Sequence, residues 1–200
     1  MMVGARRILV GFLDPFCTKK CPGPAALVLL LSLYGCTHAT GLIPSGARCI
    51  ENIPYFAQED FQCGPAALAT VVNYWYLKDG SGKHLPIETI VADIYSPSAR
   101  GVLGMDLGLY ARKLGFNVVD HQGSVGEIRR NIDLGVPVII LVDYGVFAYQ
   151  RNHFMVAKGY TDDGIIVNSG REENQVIPAE DLNRIWKKTG FWLLAIKPSF

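Results

Sequence analysis

The sequence predicts an α+β protein in which helices come first and a mostly antiparallel sheet follows. Apolar residues recur at helical spacing over residues 64–134, and short β-branched runs separated by turn signals replace them from Val136 onward. Half of the 200 residues are hydrophobic and the formal net charge is +1. This composition is typical of a globular domain and excludes a disordered or nucleic-acid-coating chain.

The first 35 residues are expected to be an export signal. Basic residues precede an apolar run, Ala25 to Tyr34, which as a helix would span only about 15 Å, half of a bilayer core. The boundary Leu33-Tyr34-Gly35-Cys36 resembles the lipobox of bacterial lipoproteins, in which the cysteine is acylated after cleavage. An ordinary signal peptide with an incidental cysteine is the alternative. The first interpretation predicts a lipoprotein of the bacterial cell envelope, anchored to a membrane by lipid on Cys36, with residues 36–48 as a tether.

Charge and cysteine spacing exclude two further classes of function. Residues 36–200 carry 15 basic and 17 acidic side chains, so no basic patch is available to attract nucleic acid. Cys17 and Cys21 are not followed by a second pair of zinc ligands, and Cys49 has no evident disulfide partner. We therefore expect neither a metal nor another cofactor.

The first helix of the mature chain is predicted to begin at Gly64-Pro65, because proline suits a first helical position. Leu68, Val71, Val72 and Trp75 follow at helical spacing, which indicates one buried face. Asp79-Gly80 is expected to end this helix.

Three more helices and a strand are predicted before the sheet-forming half of the chain. The helices span Pro86 to Tyr95, Met105 to Leu114, and a segment that Ser124 and Glu127 open as a capping box and that ends near Gly135. Residues 116–119 are predicted as the strand.

The second half of the chain is predicted to supply most of the sheet. The strands are Val136 to Val142, His153 to Tyr160, Ile165 to Asn168, and Phe191 to Ile196, with a helix over Pro178 to Lys187. The second and third of these strands are predicted to form a hairpin.

Cys63 is the first candidate for chemistry. At a helix start, backbone N–H groups and the macrodipole lower the pKa of a thiol and favour the nucleophilic thiolate. The alternative is an inert buried cysteine, since free cysteines are often buried. His153 opens a strand, whereas the other three histidines lie in the tether or in predicted loops. A helix-start cysteine and a distant strand-start histidine form the arrangement that papain-like peptidases use.

Two segments carry a closer resemblance. "PYFAQEDFQCGPAALATVVNYW", Pro54 to Trp75, and "NHFMVAKGYTDDGIIVNSG", Asn152 to Gly170, resemble the bacteriocin-processing cysteine peptidases, which are papain-like enzymes that cleave double-glycine leaders. The free-standing, exported relatives of these enzymes are the nearer match. The resemblance implies a papain-like cysteine peptidase domain over residues 49–200, with helices packed on an antiparallel sheet and a peptide or protein as substrate.

The resemblance also implies a role for individual residues. Cys63 stands at the nucleophile and His153 at the general base. The oxyanion-hole glutamine of the family lies six residues before the cysteine, where this chain has Ala57, so Gln58 is the candidate and Gln62 the alternative.

The third member of the triad is open between two neighbouring residues. The aspartate position of the family is occupied by Ser169. Asn168 is favoured as the residue that orients the histidine, because an amide oxygen is a good hydrogen-bond acceptor, and Ser169 is the alternative.

These observations predict an exported, lipid-anchored cysteine peptidase that hydrolyses peptide bonds through an acyl-enzyme, at double-glycine-type sites. A separate exporter is a candidate partner. A non-catalytic peptide-binding lipoprotein on the same fold and a thiol-dependent amide transferase are the alternatives.

Overall fold

An eight-stranded sheet organises the protein. The computed structural model describes residues 39–57 and 62–199. The strands are β1 (Ala39–Thr40), β2 (Arg48–Cys49), β3 (Phe116–Gln122), β4 (Val138–Asp143), β5 (Asn152–Tyr160), β6 (Gly164–Ser169), β7 (Glu172–Pro178) and β8 (Trp192–Pro198). Their order across the sheet is β1-β7-β6-β5-β4-β8-β3, and β2 pairs with the far part of β5.

The described ranges also contain five α-helices. They are α1 (Cys63–Lys78), α2 (Ile87–Ile94), α3 (Gly104–Lys113), α4 (Val125–Asp133) and α5 (Ala179–Trp186), the last continued by a 3₁₀ turn (Lys187–Thr189). The predicted α+β class, with leading helices and a mostly antiparallel sheet, is confirmed. The pairing of β1 with β7 is parallel, and every other pairing between the described strands is antiparallel.

Helix α1 is buried more completely than its periodicity indicates. All residues from Gly64 to Trp75 are buried, not one face alone. The reason is that α1 contacts β5, β4 and β8 of the sheet and also contacts α2 and α3. Asn73 is tolerated there because its side chain bonds both the N–H and the carbonyl of Leu85. These two hydrogen bonds attach the middle of α1 to the segment that precedes α2.

Three sheet features differ from the sequence prediction. Strand β3 runs on to Gln122, paired along its length with β8, so His121 lies in a strand and not in a loop. Strand β7 was not predicted, because its sequence is largely polar. Two short strands, β1 and β2, lie within or overlap the segment predicted as a tether.

The predicted capping box of α4 forms only in half. The Ser124 hydroxyl accepts a hydrogen bond from the Glu127 N–H, as predicted. The Glu127 carboxylate does not return to the Ser124 backbone but contacts Nε2 of His121 instead. His121 of β3 therefore binds the Glu127 carboxylate that was predicted to complete the cap.

A β-bulge interrupts the pairing of β5 with β6. Gly159 pairs with Ile166, but Ala157 pairs with Val167, so Lys158 is the extra residue. Because side chains alternate along a strand, a shift of one residue exchanges the faces of all residues beyond it. Beyond the bulge, each residue of β6 therefore pairs with a residue of β5 on the opposite face of the sheet from the one it would meet in an unbroken hairpin.

Within the described ranges, the structure contains no helix with the length and apolar character needed to cross a bilayer. The predicted signal peptide and the predicted lipidation site, Cys36, lie outside the described residues.

Candidate active site

Cys63 is the first residue of α1, as the sequence predicts. Its preceding residue, Gln62, caps the helix without a side-chain hydrogen bond, and its carbonyl accepts from the Ala66 N–H at 3.0 Å. The N–H groups of Cys63 and Gly64 therefore remain free to face the thiol. The thiol is half-buried and packs against the hydrophobic core.

Burial dominates the acidity of this thiol. It raises the pKa of Cys63, whereas hydrogen bonds from the backbones of Phe154, Gly64 and Cys63 itself lower it by less. The helix start acts in the predicted direction, but desolvation outweighs it. The hydrogen bond from Phe154 also locates the sulfur, because Phe154 directly follows His153 in β5.

Gly64 is required by packing. A Cβ atom on it would lie 2.2 Å from Cγ2 of Val102 and 3.3 Å from the Phe154 ring. The glycine thus lets the segment before α3 and the start of β5 close around the nucleophile's helix.

His153 faces Ser169. Its Nε2 lies 3.0 Å from the Ser169 hydroxyl oxygen, between the second residue of β5 and the last residue of β6. Asn168 was the favoured partner, and the structure places it elsewhere. Its Oδ1 accepts from the Asn174 N–H at 3.2 Å. The Nδ2 of this buried side chain has no hydrogen-bond partner.

The bulge at Lys158 accounts for this choice. Val156 pairs with Asn168, so these two side chains share one face of the sheet. Ser169 and His153 then lie on the opposite face. Without the extra residue, Asn168 would pair with Ala157 and would share the face of His153.

The imidazole is held in its neutral form. Burial, and to a smaller extent the charge of Arg151, lower the pKa of His153 from its usual 6.5 to about 4. Because the pKa of Cys63 is raised, the resting pair consists of a neutral thiol and a neutral imidazole rather than an ion pair.

A tyrosine fixes the turn that follows Ser169. The Tyr55 hydroxyl donates to the Gly170 carbonyl at 3.1 Å. Gly170 has φ 59°, and a Cβ on it would lie 4.0 Å from Cε1 of His153. Tyr55 belongs to the "PYF" segment before Cys63, so both quoted sequence segments meet at the histidine.

A carboxylate that the sequence did not single out fixes the loop before His153. Asp143 ends β4, and its Oδ1 accepts from the N–H groups of Gly145 and Arg151 at 2.7 and 2.8 Å. These hydrogen bonds, that from Arg151 first, hold the pKa of Asp143 below its usual value. The carboxylate closes the loop of residues 144–151. The available signal was an acidic residue at the end of an apolar strand.

An open pocket of about 290 Å³ lies at the histidine. It is lined by Tyr144, Arg151, Asn152, His153, Ser169, Gly170, Arg171, Glu172 and Gln175. Its size suits a few residues of a peptide, and its wall carries both charge signs.

The oxyanion-hole predictions have unequal support. Gln58 lies outside the described residues. Gln62, the alternative, is half-buried directly before the nucleophile, with a side chain that makes no capping bond. The role of either glutamine stays a prediction.

Cys49 and Cys63 are both free thiols. In the part of the chain that the structure describes, no three His, Cys, Asp or Glu side chains gather into a group that could hold a metal ion. The described site therefore offers thiol and imidazole chemistry.

Comparison with known proteins also indicates a cysteine peptidase. The model of the Peptidase C39-like family matches residues 50–193. A curated Pseudomonas fluorescens protein, described as functional amyloid protease FapD, is 24% identical over 185 residues, which cover 85% of this chain and 79% of that protein.

Solved structures share the fold. A C39-like peptidase structure from Bacillus anthracis superposes with a TM-score of 0.63 at 16% identity, covering 78% of this chain and 99% of the other. The peptidase domain of Streptococcus ComA, a bifunctional ABC transporter, gives 0.59 at 20% identity, covering 74% and 100%. A double-glycine-motif protease from an AMS/PCAT transporter, solved with its leader peptide, gives 0.59 at 24% identity, covering 78% and 97%.

Proposed function

This chain belongs to the Peptidase C39-like family and is a cysteine peptidase, and from that premise we propose that Cys63 and His153 hydrolyse peptide bonds at double-glycine-type sites. The contact of His153 with Ser169 beside the Cys63 helix carries the proposal. One relative of the same fold was solved with a leader peptide bound. Another is described as a functional amyloid protease, so an exported amyloid precursor is a second substrate class to test.

The chemistry starts from a neutral pair. His153 uses Nε2 toward Ser169, which leaves Nδ1 to take the proton of the Cys63 thiol. The thiolate then attacks the carbonyl carbon of the peptide and forms a tetrahedral oxyanion. Backbone N–H groups at the start of α1, with Gln58 or Gln62, would stabilise this oxyanion by roughly 3 kcal/mol per donor.

Three proton transfers complete the cycle. The C–N bond breaks as the imidazolium gives its proton to the leaving amine, and a thioester on Cys63 remains. Water, deprotonated by His153, attacks the thioester, and the thiol is regenerated when the imidazolium returns the proton. The balance is one peptide bond and one water consumed, with a carboxylic acid and an amine formed.

We further propose export and lipidation at Cys36. The proposal is supported by the apolar run and lipobox-like boundary of the sequence. Growth of the expressing bacterium with an alkyne fatty acid should label the wild-type protein and not Cys36→Ser. Unlabelled wild-type protein would contradict lipidation without bearing on the peptidase.

Selective alkylation tests the nucleophile. In the full chain treated with a Gly-Gly chloromethyl ketone, which binds as a substrate does while His153 takes the thiol proton, the peptide that carries Cys63 should be modified faster than the peptide that carries Cys49, and His153→Ala should remove the difference. Mass spectrometry separates the two peptides. Equal, slow modification of both cysteines in the wild type would overturn the proposal.

A substrate assay completes the test. A fluorogenic peptide with Gly-Gly before the reporter should be cleaved by the wild type and not by Cys63→Ala. Binding of the peptide without cleavage, unchanged in Cys63→Ala, would favour the peptide-binding alternative. A transamidation product in place of the acid would favour the amide transferase.

A further inference from the structure

The orientation of His153 depends on a hydroxyl group that is itself mobile. A serine hydroxyl can donate or accept and rotates freely about its C–O bond. Unlike a carboxylate, it fixes the imidazole tautomer only if a further group fixes the hydroxyl. The structure supplies a candidate in Tyr144, which lines the same pocket as His153 and Ser169.

Tyr144 lies beside His153 in this pocket. Its ring centroid is 6.0 Å from that of His153, at an interplanar angle of 43°. Burial raises the pKa of the Tyr144 phenol, and a side-chain hydrogen bond from Ser169 acts in the opposite direction. The phenol of Tyr144 and the imidazole Nε2 of His153 thus share the pocket that holds the Ser169 hydroxyl.

The backbone holds Tyr144 in this place. The Tyr144 N–H donates to the Arg151 carbonyl at 3.0 Å, which closes the loop directly before β5. Asp143 accepts from the N–H groups of Gly145 and Arg151, and Lys188 Nζ donates to the Gly145 carbonyl at 2.7 Å. Both ends of the loop are therefore anchored, and the phenol is presented to Ser169 without a large loss of entropy.

We propose that Tyr144 is a positioning residue whose phenol orients the Ser169 hydroxyl, so that His153 donates Nε2–H to Ser169 and keeps Nδ1 free for the Cys63 thiol. The proposal rests on the proposed peptidase function. It assigns to a serine–tyrosine pair the orienting role that a single carboxylate has in the related enzymes. Tyr144 acts through Ser169 and does not touch the substrate bond.

The charges around the imidazole agree with this role. The pocket is lined by Arg151, which directly precedes β5, by Arg171 and Glu172 beyond Ser169, and by Tyr144 of the loop. Cys63 lies on α1 and accepts a hydrogen bond from the backbone of Phe154. Burial first, and the Glu172 carboxylate to a smaller extent, raise the pKa of Tyr144, so the phenol stays protonated. A neutral pair orients the imidazole without converting it into a resting imidazolium.

A double-mutant cycle on the full chain tests the proposal. Tyr144→Phe removes only the hydroxyl and should lower kcat on the Gly-Gly fluorogenic peptide about fivefold, the value of one hydrogen bond, with KM unchanged. In a Ser169→Ala background the same substitution should have no further effect, because its target is gone. Tyr149→Phe, an exposed tyrosine of the same loop, is the matched control and should leave kcat unchanged.

Alkylation of Cys63 by the Gly-Gly chloromethyl ketone over a pH series gives a second readout. Tyr144→Phe should slow the modification of Cys63, and modification of Cys49 in the same samples shows whether the fold is intact. Unchanged kcat in Tyr144→Phe, or an equal loss with and without Ser169, would overturn the proposal. Wild-type protein no more active than Cys63→Ala would instead overturn the proposed function.

Discussion

Nε2 of His153 lies 3.0 Å from the Ser169 hydroxyl, where the related peptidases carry an aspartate. A hydroxyl orients the imidazole but adds no charge to stabilise an imidazolium. This difference agrees with the pKa of His153, which burial lowers to about 4. The catalytic pair is consequently uncharged at rest, and four measurements follow from its surroundings.

Ser169→Asp should restore an ion pair. The new carboxylate should raise the pKa of His153 by one unit or more, that is, by about 1.4 kcal/mol of interaction with the imidazolium. The His153 Cε1 proton, followed by NMR over a pH series, reports this shift directly. Asn168→Asp, which places the same charge on the other face of β6, is the control and should leave the His153 titration in place.

Substitution of Asn168 should mainly affect stability, whereas substitution of Ser169 should mainly affect catalysis. Asn168→Ala leaves the Asn174 N–H unpaired in the core and should lower the free energy of unfolding by about 1–2 kcal/mol. Ser169→Ala should instead lower kcat with little loss of stability. Urea unfolding and peptide hydrolysis on both variants would decide the matter, and the opposite assignment of effects would contradict the geometry.

His153 should make the fold weaker in acid. Because its pKa is about 4 in the folded protein against 6.5 when exposed, the unfolded chain binds a proton first as the pH falls. The contribution of neutral His153 to the free energy of unfolding is complete above about pH 6.5 and is lost between there and about pH 4. The loss amounts to about 2 kcal/mol at pH 4.5.

Urea unfolding near pH 7 and near pH 4.5 measures this loss. The variant His153→Asn, which does not titrate, should lose less stability than the wild type by this amount. Equal losses in the two proteins would show that other groups govern the acid limb.

Gly64→Ala should strain the start of α1. The added methyl would collide with Val102, so a loss of about 1–3 kcal/mol of unfolding free energy is expected. Val102→Ala should recover part of it in the double variant. Gly126→Ala is the control, since a Cβ there meets only Ser124 Oγ at 3.9 Å, and alanine should stabilise α4 by about 0.5–1 kcal/mol.

Hydrophobic periodicity predicted those helices and strands whose apolar residues follow a single clear pattern. The helices α2, α3 and α4, and the strands β4, β5 and β6, lie close to their predicted bounds. Strand β7 was missed because its sequence is largely polar, and its pairing with β6, which makes it a strand, is not visible in that sequence. The full burial of α1 depends on packing on both of its sides, which a one-dimensional pattern cannot show.

The part of the candidate site that depends on local sequence was predictable. Helix-start and strand-start positions located Cys63 and His153 on the correct elements. The choice between Asn168 and Ser169 was not predictable, because it depends on one extra residue, Lys158, ten positions away from the nearer of the two. Residue type favoured the amide, and strand register favoured the hydroxyl.

The burial of Cys63 also bears on how readily its thiol is oxidised. Peroxide and disulfides react with thiolates, and a thiol whose pKa is raised by desolvation exposes very little thiolate between turnovers. Sulfenic acid should therefore form slowly on the resting protein. A nucleophile that is generated only while His153 accepts its proton combines reactivity toward a bound peptide with resistance to oxidation at rest.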